Sequence, residues 1–259
     1  MLTGEIREYA ETPDRFAPVA EGSSVTRYDD GRVCFIQGTG WGSVSCVSVA
    51  ADELPALVEQ VRSLARQRNY VWWIGPSAQP PDVVERLQAL GFTAPADRVG
   101  TLHAVALTDE PSTNPPEIDV SRVATFDDFA AAREVQWDAF ETPADRRDQG
   151  RARLREDFEE SMRFGVPVGF LARLEGRPAA TAMAIPSARG VFLIAGATAP
   201  WARGRGLYRS LVRARWDYAV ERGTPALVTQ ADPATSYPIL KRVGFEDVCT
   251  IRRLEDPER

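Results

Sequence analysis

The stretch Ala199-Pro200-Trp201-Ala202-Arg203-Gly204-Arg205-Gly206-Leu207-Tyr208 lies between an apolar run, Val191 to Thr198, and a helical pattern from Gly206 to Glu221. It constrains the fold more than any other segment, because a strand that feeds a helix through a glycine-bearing loop belongs to a mixed α/β domain. Two glycines let the backbone turn tightly and bring its N–H groups close to a ligand, and the helix that follows points its positive end at the same place. Arg203, Arg205 and Arg209 sharpen the point. Cations at a helix N-terminus oppose the macrodipole by roughly a few tenths of a kcal/mol each, a penalty that a bound anion reverses. The loop is expected to hold an anion; the plainer alternative is a turn carrying solvated arginines. Two other phosphate loops do not fit. No Lys followed by Ser or Thr comes after the glycines, and Arg209 stands where a dinucleotide fold needs its third small residue.

The surrounding pattern supplies the rest of a domain. Asp109 to Glu117 is poor in apolar residues and rich in breakers, so it reads as a linker. After it, Ile118 to Val123 reads as a strand and Thr125 as the N-cap of a helix whose Phe129, Ala132, Val135 and Ala139 share one face. Ala144 to Phe164 reads as a second, charge-dense helix with Leu154, Phe158 and Met162 aligned. Val166 to Leu174, Pro178 to Ile185 and Val191 to Thr198 read as three strands. Leu207, Leu211, Ala214 and Tyr218 form the inner face of the next helix. Pro225 to Gln230 then reads as a strand, Thr235 to Val243 as a short helix stopped by Gly244, and Phe245 to Leu254 as the closing strand.

The first half repeats that ending. Val44 to Val49 reads as a strand, Asp52 to Arg68 as a helix, Tyr70 to Ile74 as a strand and Asp82 to Leu90 as a helix stopped by Gly91-Phe92. The interval from Val49 to Gly91 nearly matches that from Thr198 to Gly244, and the loop Ala199 to Arg205 accounts for the difference, so the spacing suggests a duplicated unit. A chance recurrence of common α/β elements is the alternative. The first copy has only Ala50-Ala51-Asp52-Glu53 where the loop would be, with no glycine and two acids, so it is not expected to hold an anion. Trp72 and Trp73 read as members of a buried central strand rather than an aromatic ligand box.

Arg203-Gly204-Arg205-Gly206, in its strand-to-helix setting, resembles the pyrophosphate loop of the GNAT superfamily of acyl-CoA-dependent N-acyltransferases, which runs Gln/Arg-x-x-Gly-x-Gly/Ala. The resemblance covers Pro116 to Leu254 and includes the short helix before Gly244-Phe245; Tyr208 replaces the loop's last small residue. It implies an α/β, GNAT-like fold of two lobes: a degenerate N-terminal lobe over residues 1–108, a linker over 109–117 and an acetyltransferase domain over 118–259. It also implies acetyl-CoA, or a related acyl-CoA, as co-substrate without a metal. Gly204, Arg205, Gly206, Leu207 and Tyr208 would stand with Arg203 at the pyrophosphate, and Ala197, Thr198 and Ala199 beside the pantetheine arm. The implied reaction is direct attack of a primary amine of a small molecule or peptide on the thioester. The family often carries a tyrosine acid four residues before the glycine of the Gly-Phe pair, a position that is Leu240 here. Tyr237, one helical turn earlier, is the substitute candidate, with packing of its helix as the alternative role. Asp138, Glu141, Glu156, Asp157 and Glu160 lie where the family builds its acceptor site, but such charges are commonly solvated helix faces and no base is assigned.

Composition narrows the class further. With 44% hydrophobic and 26% charged residues the chain reads as an ordinary globular protein, and a net charge of -6 argues against nucleic acid or anionic lipid as partner. Cys34, Cys46 and Cys249 are odd in number, far apart in sequence and without ligand-like spacing, which suits a reducing cytosol. The single histidine, His103, excludes a multi-histidine metal centre and reads as a strand residue within Thr101 to Leu107. No run reaches the roughly 18 apolar residues of a membrane span, and Glu5, Arg7 and Glu8 break any secretory leader, so the expectation is a cytoplasmic monomer or homodimer. A CoA-binding sensor or interaction protein without transferase activity is the alternative reading, suggested by Leu240 and Tyr208. A nucleotide-binding α/β protein of another fold is the third.

Overall fold

The computed structural model describes residues 1–66, 69–96, 99–112 and 118–258. Its helices are α1 (Gly4–Glu11), α2 (Leu54–Ala65), α3 (Val83–Ala89), α4 (Phe126–Ala139), α5 (Ala144–Phe164), α6 (Leu207–Glu221) and α7 (Ser236–Val243). Its strands are β1 (Thr26–Asp29), β2 (Cys34–Gly38), β3 (Trp41–Ser45), β4 (Val71–Ile74), β5 (Thr101–Leu107) and β6 (Asp119–Arg122), followed by β7 (Val168–Leu174), β8 (Arg177–Ser187), β9 (Gly190–Thr198), β10 (Leu227–Ala231) and β11 (Glu246–Glu255). Short 3₁₀ turns occupy Pro13–Phe16 and Pro200–Ala202. No helix among the described residues is long and apolar enough to cross a membrane.

The chain forms two compact units. The first comprises Met1–Ala106, Gln230–Pro238 and Glu246–Arg259, the second Leu107–Thr229 and Ile239–Phe245. This partition is discontinuous, unlike a single cut at a linker over 109–117. The reason is hydrogen bonding: β11 runs antiparallel to β4 on one edge and to β5 on the other, so it groups with partners far away in sequence. Ser112, inside the expected linker, donates its N–H to Val243 O at 2.9 Å within the second unit, while residues 113–117 lie outside the described residues.

In the first unit β1, β2 and β3 form an antiparallel meander, and β3 joins β4 in parallel through α2. The α2 residues Leu54, Leu57, Val58, Val61 and Ala65 are buried against Phe35, Val44, Trp72 and Leu254. Trp72 is fully buried with its ring edge-on to Phe92, whereas Trp73 is half-buried under the Arg253 guanidinium, so the pair splits between the two faces of β4 as strand alternation requires. The segment that follows β11 is fastened by one carboxylate. Asp256, 1% exposed, accepts from Arg62 Nε (2.9 Å) and Nη2 (2.8 Å), from the Glu258 N–H (3.0 Å) and from the Tyr70 hydroxyl. Burial alone would raise its pKa, but these donors outweigh burial and hold it below the usual carboxylate range.

In the second unit β6, β7, β8 and β9 form an antiparallel meander and β10 adds in parallel to β9 after α6. Thus β3-α2-β4 and β9-α6-β10 are two units of the same design. Thr125 caps α4 by accepting the Asp128 N–H at 3.2 Å, as its position implies. Gly150 lets α5 pass close to α4, since a Cβ there would stand 2.5 Å from Trp137 Cζ2. Elsewhere α5 buries little beyond Leu154, and its charges pair along the surface, Arg151 with Glu134 and Arg147 with Asp138.

Candidate functional site

Two features of β9 make its C-terminal end unusual. Its register with β8 shifts between Thr181↔Ala197 and Met183↔Ile194, which inserts one extra residue into β9, and Ala195 at that bulge has φ +51°. Its register with β10 covers Leu227↔Val191 and Val228↔Phe192, and a side-chain bond from Thr229 Oγ1 to Leu193 O (2.9 Å) follows. Past that point the outer edge of β9 is set free of the parallel ladder.

Of the residues expected along a pantetheine arm, Ala199 donates its N–H to Ala179 O of the β8 side at 2.9 Å. Ala197, two residues earlier and paired with Thr181, has the same orientation. Thr198, between them, turns its backbone toward the outer edge, where its carbonyl accepts from Arg203 Nε at 3.4 Å. Arg203 also donates from Nη2 to Ala139 O at the end of α4 (3.2 Å), so this exposed arginine satisfies one carbonyl at a helix C-terminus.

The loop itself has the form an anion needs. Gly204 and Gly206 take φ +79° and +84°, values that strain any other L-residue, and a Cβ on Gly204 would meet nothing within 4 Å. Gly206 is the N-cap of α6 and no side chain caps the helix. The first bond of α6 is Ser210 N–H to Gly206 O at 3.1 Å, which leaves the N–H groups of Leu207, Tyr208 and Arg209 as orphan donors of the opening turn. Leu207 is buried and anchors that turn, while Arg205 is exposed. Three N–H groups without a partner among the described residues, at the positive end of a 15-residue helix beside two left-handed glycines, fit a diphosphate.

Tyr208 turns away from this cradle. Its ring lies over Gly196, where an added Cβ would stand 2.8 Å from Cε2, and its hydroxyl faces Arg215. Burial raises the Tyr208 pKa, with the Arg215 charge opposing. Arg215 is 1% exposed and donates from Nε to Leu211 O (3.0 Å) and from Nη1 to Met183 O (3.4 Å), next to Ala182, the residue opposite the bulge. Burial pushes its pKa down to about 10, Tyr208 opposing, and its Nη2 has no hydrogen-bond partner among the described residues. Neither the bulge nor Arg215 was legible in the pattern: Ala195-Gly196-Ala197 reads as ordinary strand, and Arg215 as one more charge on an amphipathic helix. Gly196→Ala is expected to push the Tyr208 ring off the bulge and to lower stability by about 1–3 kcal/mol. Thermal unfolding and acetyl-CoA titration check this, and a variant unchanged in both would mean that the ring does not seat there.

Tyr237 belongs to the first unit, where it stacks on His103 with ring centroids 4.2 Å apart and planes at 23°. Leu240, in the second unit, is fully buried. Among the acids, Asp138 is held by Arg147 at 2.6 Å, and Glu156 and Asp157 lie 3.6 and 3.7 Å from Arg153. Glu141 is exposed just past α4 at φ +51°. Among the described residues no cluster of three or more His, Cys, Asp or Glu is arranged to hold a metal ion.

No family model matches the sequence, and no curated protein matches it. Solved structures do. The chain is similar to a GCN5-related N-acetyltransferase from Kribbella flavida, at 19% identity and TM-score 0.67 over 99% of this chain and 97% of that one. A GCN5-related N-acetyltransferase from Sphaerobacter thermophilus matches at 15% identity and TM-score 0.57, over 92% and 83%. A tandem GNAT protein from the clavulanic acid biosynthesis pathway matches at 17% identity and TM-score 0.56, over 98% and 87%. The chain therefore has the fold of the GCN5-related N-acetyltransferases, and the likeness to the tandem protein extends through both units.

Proposed function

We propose that this chain is an acyl-CoA-dependent N-acyltransferase that transfers an acyl group, acetyl from acetyl-CoA, to a primary amine of a small molecule or peptide. One observation carries the reading: an uncapped helix N-terminus behind two left-handed glycines, placed where β9 leaves its parallel partner. The N–H groups of Leu207, Tyr208 and Arg209 hold the pyrophosphate, with Arg203, Arg205 and Arg209 adding charge around it. Thr198 offers its backbone to the pantetheine arm. The thioester supplies an activated acyl carbonyl. Backbone N–H groups at the Ala195 bulge polarise that carbonyl, a contribution of about 3 kcal/mol per donor. No metal takes part in this scheme.

Leu240 carries no proton donor, so the acid that serves the departing thiolate comes from another residue, and Tyr237 is the candidate. The first unit binds no CoA in this scheme. Its α2 carries Pro55, which lacks an N–H, in its first turn, and the Glu53 carboxylate accepts the Ala50 N–H at 2.9 Å just before the helix, so negative charge already occupies the corresponding place.

Calorimetric titration of acetyl-CoA into the folded protein is expected to give one site per chain. Absence of heat at high micromolar concentration overturns the proposal. The buried, apolar Leu240 favours a second reading, a CoA-binding sensor without turnover. Release of free thiol above background on a broad panel of amines separates the two, because only a transferase produces it.

A further inference from the structure

Cys34 and Cys46, distant in sequence, come together in the first unit through a bulge in β3. Cys34 pairs with Ser45 in the β2–β3 ladder, and beyond them the Ser48 N–H donates to Arg32 O at 2.8 Å. Arg32 is two residues from Cys34, but Ser48 is three from Ser45, so one extra residue lies on the β3 side. Cys46 is that residue, with φ +58°, a left-handed conformation unfavourable for a residue with a Cβ. In such a bulge two residues of one strand oppose a single residue of the other; here Cys46 and Val47 stand opposite Val33, and Cys46 adjoins Ser45, the direct partner of Cys34. Directly opposed strand residues have Cα atoms about 4.5–5.5 Å apart, so a neighbour of Ser45 whose side chain turns to the same face comes within reach of Cys34. Side-chain contacts agree: Cys46 Sγ lies 3.7 Å from Ser45 Oγ, and the Cys34 and Cys46 thiols shift one another's pKa values in opposite directions through a hydrogen bond.

The two thiols differ as an exchange pair requires. Cys34 is fully buried and Cys46 is partly exposed. The 3₁₀ turn Pro13–Phe16 packs against this hairpin, with Asp14 accepting from the Ser43 hydroxyl. The interaction with Cys34 lowers the Cys46 pKa; burial opposes it, while the Ser45 and Thr12 hydroxyls and the Arg15 charge add to the lowering. The same pairing, with burial, raises that of Cys34. Cys249, the third thiol, has its pKa raised by burial to about 12.

We propose that Cys46 and Cys34 form a thiol–disulfide exchange site for low-molecular-weight disulfides, Cys46 being the attacking and Cys34 the resolving thiol. The Cys46 thiolate attacks one sulfur of the small disulfide, a new S–S bond forms and the other half leaves as a thiolate that takes up a proton. Cys34 then loses its proton and attacks the Cys46 sulfur, closing the intramolecular bond and releasing the second small thiol. Two protein thiols are oxidised and one small disulfide is reduced to two thiols.

The test treats the intact, reduced protein with glutathione disulfide at neutral pH, quenches with acid and maps the modified peptides by mass spectrometry. A Cys34–Cys46 disulfide with Cys249 still reduced is expected, and Cys34→Ala should accumulate the glutathione mixed disulfide on Cys46. Because Cys34 lies in the core, the wild-type chain provides a second readout: native alkylation by iodoacetamide should reach Cys46 about ten-fold faster than Cys249. Modification first at Cys249, a Cys46 inert while the protein is folded, or separate glutathione adducts on both cysteines without their joining would each overturn the assignment.

Discussion

Gly206→Glu is expected to weaken acetyl-CoA binding by about 100-fold or more, equivalent to about 2.7 kcal/mol, with the fold retained. Two effects act together. The residue sits at φ +84°, so any Cβ strains the turn that presents the Leu207 to Arg209 N–H groups, at about 1–2 kcal/mol. The new carboxylate then occupies the positive end of α6 and repels a diphosphate from the place it would take. Gly206→Ala separates the terms: it carries the strain without the charge and should lose about ten-fold in affinity. Isothermal titration on both variants, with circular dichroism to verify folding, is the measurement. An unchanged affinity in Gly206→Glu would mean that the cofactor lies elsewhere.

The largest expected effect on stability is at Asp256. Asp256→Ala should cost about 3–5 kcal/mol, seen as a fall in Tm on the order of 10 °C, because it leaves the Arg62 guanidinium and the Tyr70 hydroxyl facing a buried site without their acceptor. Arg62 keeps Glu59 and Glu258 at 2.7 and 3.1 Å, both exposed, which places the effect toward the lower end of that range. The pH dependence has a definite sign. The folded-state pKa of Asp256 is held below its ordinary value, so its contribution is complete above the unfolded-state value near pH 4 and is lost as pH falls through the folded one. Wild-type and Asp256→Asn stabilities, measured by urea denaturation, should differ at pH 7 and converge progressively below about pH 4. A gap that persists unchanged into acid would remove Asp256 from this role.

Much of the fold was legible because it rests on local periodicity. The helix over Ala144 to Phe164 has the bounds that its charge density and the aligned Leu154, Phe158 and Met162 imply, and Thr125 caps α4 as its place before the apolar face predicts. The alternation of strand and helix on both sides of the repeat was also visible, as was the glycine loop, because glycine is needed wherever φ turns positive. What was not legible depends on pairing at a distance. The strand Val44 to Val49 breaks at Cys46 because β3 carries an extra residue there, and a bulge leaves no mark in residue type when the bulged residue is not glycine. The hairpin formed by β1 and β2 escaped notice for a related reason: strands this short give too few alternations to register. Cys34 and Cys46 looked unrelated for the same cause, their proximity being set by register and not by spacing. The destination of β11 was equally hidden, since an alternating strand does not announce which edges it will bond.

That last feature bears on how the molecule is made. The first unit holds a vacant slot between β4 and β5 until β11 has been translated, so it cannot finish folding before that strand has left the ribosome. A nascent chain stalled short of Glu246 would display two bare strand borders to its surroundings, an invitation to chaperones or to aggregation, and loss of β11 should harm the unit that holds β4 and β5 more than the other.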